Sequence, residues 1–187
     1  MKRAIALLEK HNLLKIISDE LDINLEIPHI AYIEVKKPVS KAILFTNVVD
    51  RKNGKKFKEP VLMNVFCNED AVKLFIGDGD KIGSEIESLL KLKPPVTFSE
   101  KLSTLGKLFS LKNTIPKKIK GKGICQEVIK LGADAKLSDL PVIKTWEDDA
   151  GPFITMGQVY TQSLNGELKN LGMYRLQVFP DNTLGMH

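Results

Sequence analysis

P-F-I-T-M-G-Q-V-Y-T-Q-S-L-N-G-E-L-K-N-L-G-M-Y-R-L-Q-V, Pro152 to Val178, decides how the second half of this chain is read. Residues 152–162 alternate at period two, the repeat of a half-buried strand. Asn165-Gly166 is a hairpin-turn pair. Beyond it Met173, Arg175 and Gln177 alternate with Tyr174, Leu176 and Val178 in a second strand. Pro180-Asp181-Asn182 then makes a turn, and T-L-G-M-H (183–187) starts a third strand, so the region reads as an antiparallel meander. An open sheet edge is a liability that proteins cover, so the sequence is expected to be cut off in mid-sheet. Asn170 and Arg175 are the chemically notable residues, but they are five apart, which puts them on opposite faces of a regular strand. A bulge at Gly172 would bring them to one site. A two-residue turn at Asn165-Gly166 predicts that Thr161 faces Asn170 and Met156 faces Arg175.

Upstream the texture differs. Ala4, Leu7, Leu8 and His11 recur at helical spacing over the first dozen residues. L-L-K-I-I-S (13–18) suits a short strand, and a helix is expected over about 25–36, with Asn24 as its cap and Pro28 in its first turn. A-I-L-F-T-N-V (42–48) and V-L-M-N-V-F (61–66) are buried-strand runs, separated by a basic Asn-Gly turn. Asn68 caps a helix opening on Glu69-Asp70. Asp80 is expected to cap another, with Ile82, Ile86, Leu89 and Leu90 on one face and Pro94-Pro95 as its stop. Such mixing of helices and strands describes an α/β layer. Lys101 to Lys122 then holds seven lysines and no acid, a basic connector and candidate boundary.

The totals set limits. The 187 residues are 43% hydrophobic and 27% charged, which is ordinary for a globular chain with a core. A net charge of +5 does not by itself name a nucleic-acid partner. The connector interleaves only one aromatic, Phe109, so it reads as a solvated face rather than a stacking platform for nucleic acid. Cys67 and Cys125 lack metal or redox spacing and read as free thiols of a reducing cytosol. No apolar run approaches the roughly 20 residues that span a bilayer, so a cytoplasmic location is expected. Gly77, Gly79 and Gly83 miss the dinucleotide fingerprint and follow a helix, so they read as an interhelical loop. His11 and His29 stand on predicted helices without ligand spacing, and no serine nucleophile motif occurs. Trp146-Glu147-Asp148-Asp149-Ala150-Gly151-Pro152 reads as an acidic turn beside a packed tryptophan, launching a strand.

Taken together, L-P-V-I-K-T-W-E-D-D-A-G-P-F-I-T (140–155), N-L-G-M-Y-R-L-Q (170–177) and T-L-G-M-H (183–187) resemble the UbiD family of prenylated-FMN-dependent decarboxylases. Within that family the likeness is to polyprenyl-4-hydroxybenzoate carboxy-lyases of quinone biosynthesis. The resemblance implies a mixed α+β fold. Residues 1–100 would form an N-terminal α/β domain, 101–123 the connector, and 124–187 the beginning of a split β-barrel that holds the cofactor. It implies prenylated FMN with a divalent metal, typically Mn2+, and often K+. Asn170 matches a metal ligand, and an amide carbonyl suits a hard cation. Met173, Tyr174, Arg175 and His187 match cofactor contacts, and Arg175 also matches the arginine of a Glu-Arg-Glu catalytic network.

The resemblance further implies a 4-hydroxybenzoate- or naphthoate-type carboxylic acid as substrate, ubiquinone or menaquinone synthesis as the setting, and a flavin prenyltransferase as cofactor supplier. It implies a homo-oligomeric full-length form, with peripheral membrane association as a further expectation. The family's two catalytic glutamates, its metal glutamate and its metal histidine fall beyond position 187, so the chain by itself is expected to be inactive. Glu147 replaces the family's usual proline. Two alternatives stand beside this reading: a non-enzymatic flavin- or nucleotide-binding module, and a basic interaction domain built on the connector.

Overall fold

A computed structural model describes residues 1–91 and 120–187. They fall into two compact units, Met1–Ile76 with Ala135–His187, and Gly77–Asp134. Most of the basic connector and the Pro94-Pro95 stop lie outside the described residues.

The first unit opens with α1 (Lys2–Lys10), β1 (Leu14–Asp22), α2 (Glu26–Val35) and β2 (Ala42–Asp50). β1 and β2 run parallel, from Leu14↔Ala42 to Asp22↔Val49, with α2 as their crossover. Two short strands, β3 (Lys55–Lys56) and β4 (Val61–Met63), pair antiparallel with β2. β2 is therefore the central strand, and Ala42, Ile43, Leu44, Phe45, Val48 and Val49 are all buried along it. Ile27, Ile43, Phe45, Val48, Phe57 and Ile143 form one core cluster. An apolar run without alternation is what a strand covered on both faces requires.

Several local expectations need correction. β1 runs four residues past Ser18, because pairing with β2 continues through a polar stretch that carries no apolar signal. Asn24 does not cap α2. The cap position is Leu25, at φ 69 and without a side-chain cap. Glu26 reaches back instead, its Oε2 accepting the Asp22 backbone N–H at 2.9 Å. Arg51 donates to Glu26, and these bonds hold the Glu26 carboxyl below its usual range. β4 stops at Met63 because Asn64 turns left-handed, φ 57, and its Nδ2 donates to Ala31 O at 2.7 Å. α3 (Glu69–Phe75) is capped as expected, with Asn68 Oδ1 accepting the Ala71 N–H at 2.9 Å. His11 follows α1 rather than lying within it.

In the second unit α4 spans Gly79–Leu90. Asp78, not Asp80, caps it, accepting from the backbone of Asp80 and Lys81. Of its expected apolar face, Ile86 and Leu90 are exposed. The glycines at 77, 79 and 83 do sit between and within helices, with no strand before them.

The second sheet belongs to the first unit: β5 (Phe153–Gln162), β6 (Lys169–Val178) and β7 (Leu184–Met186), antiparallel in that order. It is the expected meander, and it is an open sheet among the described residues. Its connection is wider than a two-residue turn. Gly166 N donates to Ser163 O at 2.8 Å, Gly166 has φ +75, and Ser163 N donates to Leu168 O at 2.9 Å. The predicted register survives at that end, Thr161↔Asn170. Residues 143 and 144 join this sheet to the first. Ile143 fills the first core while its carbonyl accepts the Phe153 N–H at 3.0 Å. Lys144 makes a parallel bridge with Asn24, donating to Ile23 O and accepting from Leu25 N, each at 3.1 Å.

Candidate functional site

β6 carries every residue that the sequence singled out except His187. Its pairing with β5 is unbroken from Gln162↔Lys169 to Gly157↔Tyr174. The expected bulge at Gly172 is absent. The register shifts instead on β5 between Ile154 and Gly157, where Thr155 and Met156 together stand opposite Arg175. Gly172 serves another purpose: a Cβ there would lie 2.5 Å from Tyr174 Cε2, so the ring occupies the space of the missing side chain.

The consequence is that β6 keeps its alternation. Asn170, Gly172 and Tyr174 share one face, and Asn170 Nδ2 donates to Tyr174 Oη at 3.2 Å. Met173, Arg175 and Gln177 share the other. The single-face site expected for Asn170 and Arg175 is therefore corrected; the two lie on opposite faces of one strand.

Arg175 heads a polar and aromatic cluster. Its Nη2 donates to Asp149 Oδ2 at 2.7 Å, and its Cζ stands 3.7 Å from the Phe153 ring centroid. His187 joins from β7's end: its N–H donates to Arg175 O at 3.0 Å, and its Nε2 lies 3.3 Å from Gln177 Oε1. The His187 ring meets Phe153 edge-on at 5.5 Å. Phe153 and Gln177 are buried, whereas the Arg175 side chain keeps 40% of its surface and that of Asp149 only 12%. The structure thus gathers Arg175, His187 and Met173 on one face and sets Asn170 with Tyr174 on the other.

β7 pairs only with Leu176–Val178 of β6. Among the described residues, the far edge of Lys169–Tyr174 has no strand beside it.

The donor chemistry fits the expected groups in part. With its nitrogen engaged by Tyr174, Asn170 offers its amide oxygen, the hard donor, to a cation. That is a single ligand, and no group of three or more His, Cys, Asp or Glu able to hold a metal occurs among the described residues. On the other face, exposed Leu171 and Met173 form an apolar strip that ends at the Arg175 cation. This combination suits a flat apolar ring system that carries negative charge.

A cavity of about 580 Å³ lies elsewhere in the same unit, lined by Pro28, Ala31, Tyr32, Met63, Thr145 and Trp146 among others. Trp146, expected to be packed, is 53% exposed there and meets Tyr32 edge-on at 5.5 Å. Cys67 and Cys125 are both free thiols. Burial pushes the Cys67 thiol up, away from nucleophilic character. Among the described residues no helix is long and apolar enough to cross a membrane.

Comparison with known proteins agrees with this layout. Residues 5–90 match the 3-octaprenyl-4-hydroxybenzoate carboxy-lyase N-terminal domain, and residues 117–187 match the Rift-related domain of the same carboxy-lyase. An uncharacterized protein of Helicobacter pylori is 45% identical over all of this chain and 31% of its own length. The vanillic acid decarboxylase of Sedimentibacter hydroxybenzoicus superposes at a TM-score of 0.69 with 19% identity, over 99% of this chain and 36% of that one. The UbiD-class enzyme HmfF of Pelotomaculum thermopropionicum, solved with prFMN, superposes at 0.62 with 21% identity, over 100% and 37%. This chain belongs to the UbiD family. It spans about a third of the length of the relatives it matches.

Asp149 is the site residue that sequence reading missed. In the sequence it is one of three acids in a turn, and its partner stands 26 residues later. The available signal was an acid fixed immediately before Ala150-Gly151-Pro152 and the start of β5.

Proposed function

We propose that this chain serves a non-oxidative decarboxylase of aromatic carboxylic acids that uses prenylated FMN. The observation that carries the proposal is the half-exposed Arg175 guanidinium, held on Asp149 and Phe153 within a region that matches the family's domain. A planar guanidinium keeping free N–H donors is suited to take a carboxylate in a fork. In this reading Arg175 holds and orients the substrate carboxylate. Met173, Tyr174 and His187 contact the cofactor, and Asn170 gives its amide oxygen to a Mn2+ ion at the cofactor phosphate. K+ is a second cation of the same reading. The cofactor, when bound, supplies the electron sink for loss of CO2.

We place residues 1–100 as an N-terminal α/β domain and 124–187 within a split β-barrel, joined by a basic connector at 101–123. The substrate is of 4-hydroxybenzoate or naphthoate type, and the setting is ubiquinone or menaquinone synthesis. A flavin prenyltransferase supplies the cofactor, and the working form is a homo-oligomer in the cytoplasm, at or near the inner membrane. By the resemblance the catalytic glutamates stand outside residues 1–187, so binding rather than turnover is the property to test in this chain.

Titration with prenylated FMN, followed by flavin absorbance with and without Mn2+, provides that test. The expected result is metal-dependent binding that Asn170→Ala and Arg175→Gln each weaken. Binding that ignores both the metal and Arg175→Gln would favour a non-enzymatic flavin module and overturn the proposal.

A further inference from the structure

We propose that Asp149 is the positioning residue of Arg175, setting the guanidinium so that its remaining donors can receive a substrate carboxylate. The inference rests on the reading of Arg175 as the carboxylate-holding cation, and it adds a residue to which no role was assigned.

The anchor is built before it meets the arginine. Asp149 lies in the turn Trp146–Asp149, closed from both sides. The Asp149 N–H donates to Trp146 O at 3.2 Å, and Asp149 Oδ2 accepts the Trp146 N–H at 3.2 Å. Oδ2 is thereby fixed by the backbone, and the same atom takes Arg175 Nη2 at 2.7 Å. The Asp149 side chain is 12% exposed, so water competes weakly for it.

The second constraint is flat. The Phe153 ring lies under the guanidinium at 3.7 Å, and Phe153 is itself fixed as the first residue of β5 with 6% exposure. One bond and one stacked face remove most of the freedom of a long side chain. Only one of the five N–H donors is used, and the others have no partner among the described residues. Such pre-ordering lowers the cost of binding a carboxylate. The β5 register shift lies at the same place, with Thr155 and Met156 both opposite Arg175.

The chain has three arginines, Arg3, Arg51 and Arg175, so labelling with phenylglyoxal can be read peptide by peptide by mass spectrometry. 4-Hydroxybenzoate serves as the carboxylate probe. In the wild type it should slow labelling of Arg175 and leave Arg3 untouched. In Asp149→Asn the basal labelling of Arg175 should rise about fivefold, the weight of one ordinary hydrogen bond. Protection by the probe should fall by a similar factor, and Asp149→Glu should restore part of both. Labelling of Arg51, which is tied to Glu26, should not change.

Equal protection in wild type and Asp149→Asn would overturn the positioning role and leave the carboxylate reading of Arg175 standing. No protection in the wild type would sink that reading, and the positioning role with it. A rise in labelling shared by Arg51 would show that Asp149 only maintains the fold, which also overturns the inference.

Discussion

The two sheets of the first unit are built on opposite plans. In β2 six of nine residues are buried, and the strand is flanked on both edges by β1, β3 and β4. In β6, of ten residues, only Gln177 is buried, and Leu171 and Met173 stand in solvent. One sheet spends its side chains on packing. The other presents them, and its ordered interior is confined to the cluster around Phe153. Burial and exposure are thus separated by region, and under the proposed function substitutions in the first sheet should report mainly on stability and those on the exposed strip mainly on binding.

The sharpest way to break that contrast is Phe45→Ala. Phe45 is fully buried in the core cluster, so the loss should be about 3–5 kcal/mol in urea unfolding. A cost below about 1 kcal/mol would mean that the first sheet does not carry the fold. Gly172→Ala comes next. Its Cβ would sit 2.5 Å from the outer edge of the half-buried Tyr174 ring, which must swing aside, at a cost of about 1 kcal/mol. It should also loosen the Asn170–Tyr174 bond, seen as a shifted tyrosine absorbance.

Glu34→Gln should have a smaller effect that depends on pH. Glu34 is 5% exposed, and the bond from Lys37 holds its carboxyl below the ordinary 4.5, against the opposing effect of burial. A depressed carboxyl contributes stability above its unfolded pKa and loses it as pH falls through the folded value. The Tm gap between wild type and Glu34→Gln should therefore be widest at neutral pH and close below 4.5. A gap that widened in acid would reverse the assignment. Met173→Ser, on the exposed strip, should change stability by no more than about 0.5 kcal/mol. Any effect it has should appear in flavin binding.

What could be read in advance follows from the same contrast. The apolar runs of β2 and β4, the Asn68 cap and the period-two meander are local signals, and they were legible. The Thr161↔Asn170 register followed from the turn position. The end of β1 was hidden because Ser18 to Asp22 is polar and is held in the strand by β2. Glycine is the usual sign of a bulge, so the sequence points to Gly172. The glycine instead makes room for Tyr174, and the bulge fell on Thr155-Met156, residues with no such mark. The Asp149–Arg175 pair was out of reach for a different reason: nothing local to either residue names the other.

The bridge between Asn24 and Lys144 joins residues 120 positions apart. The intervening sequence is not a free loop: α2, β2, β3, β4 and α3 lie within it, and β2 is the central strand of the core. The joint therefore closes a folded segment, and it ties the start of α2 to the stretch that leads into the second sheet. A change at Ile143, where the chain crosses from one sheet to the other, should therefore be felt in both sheets at once.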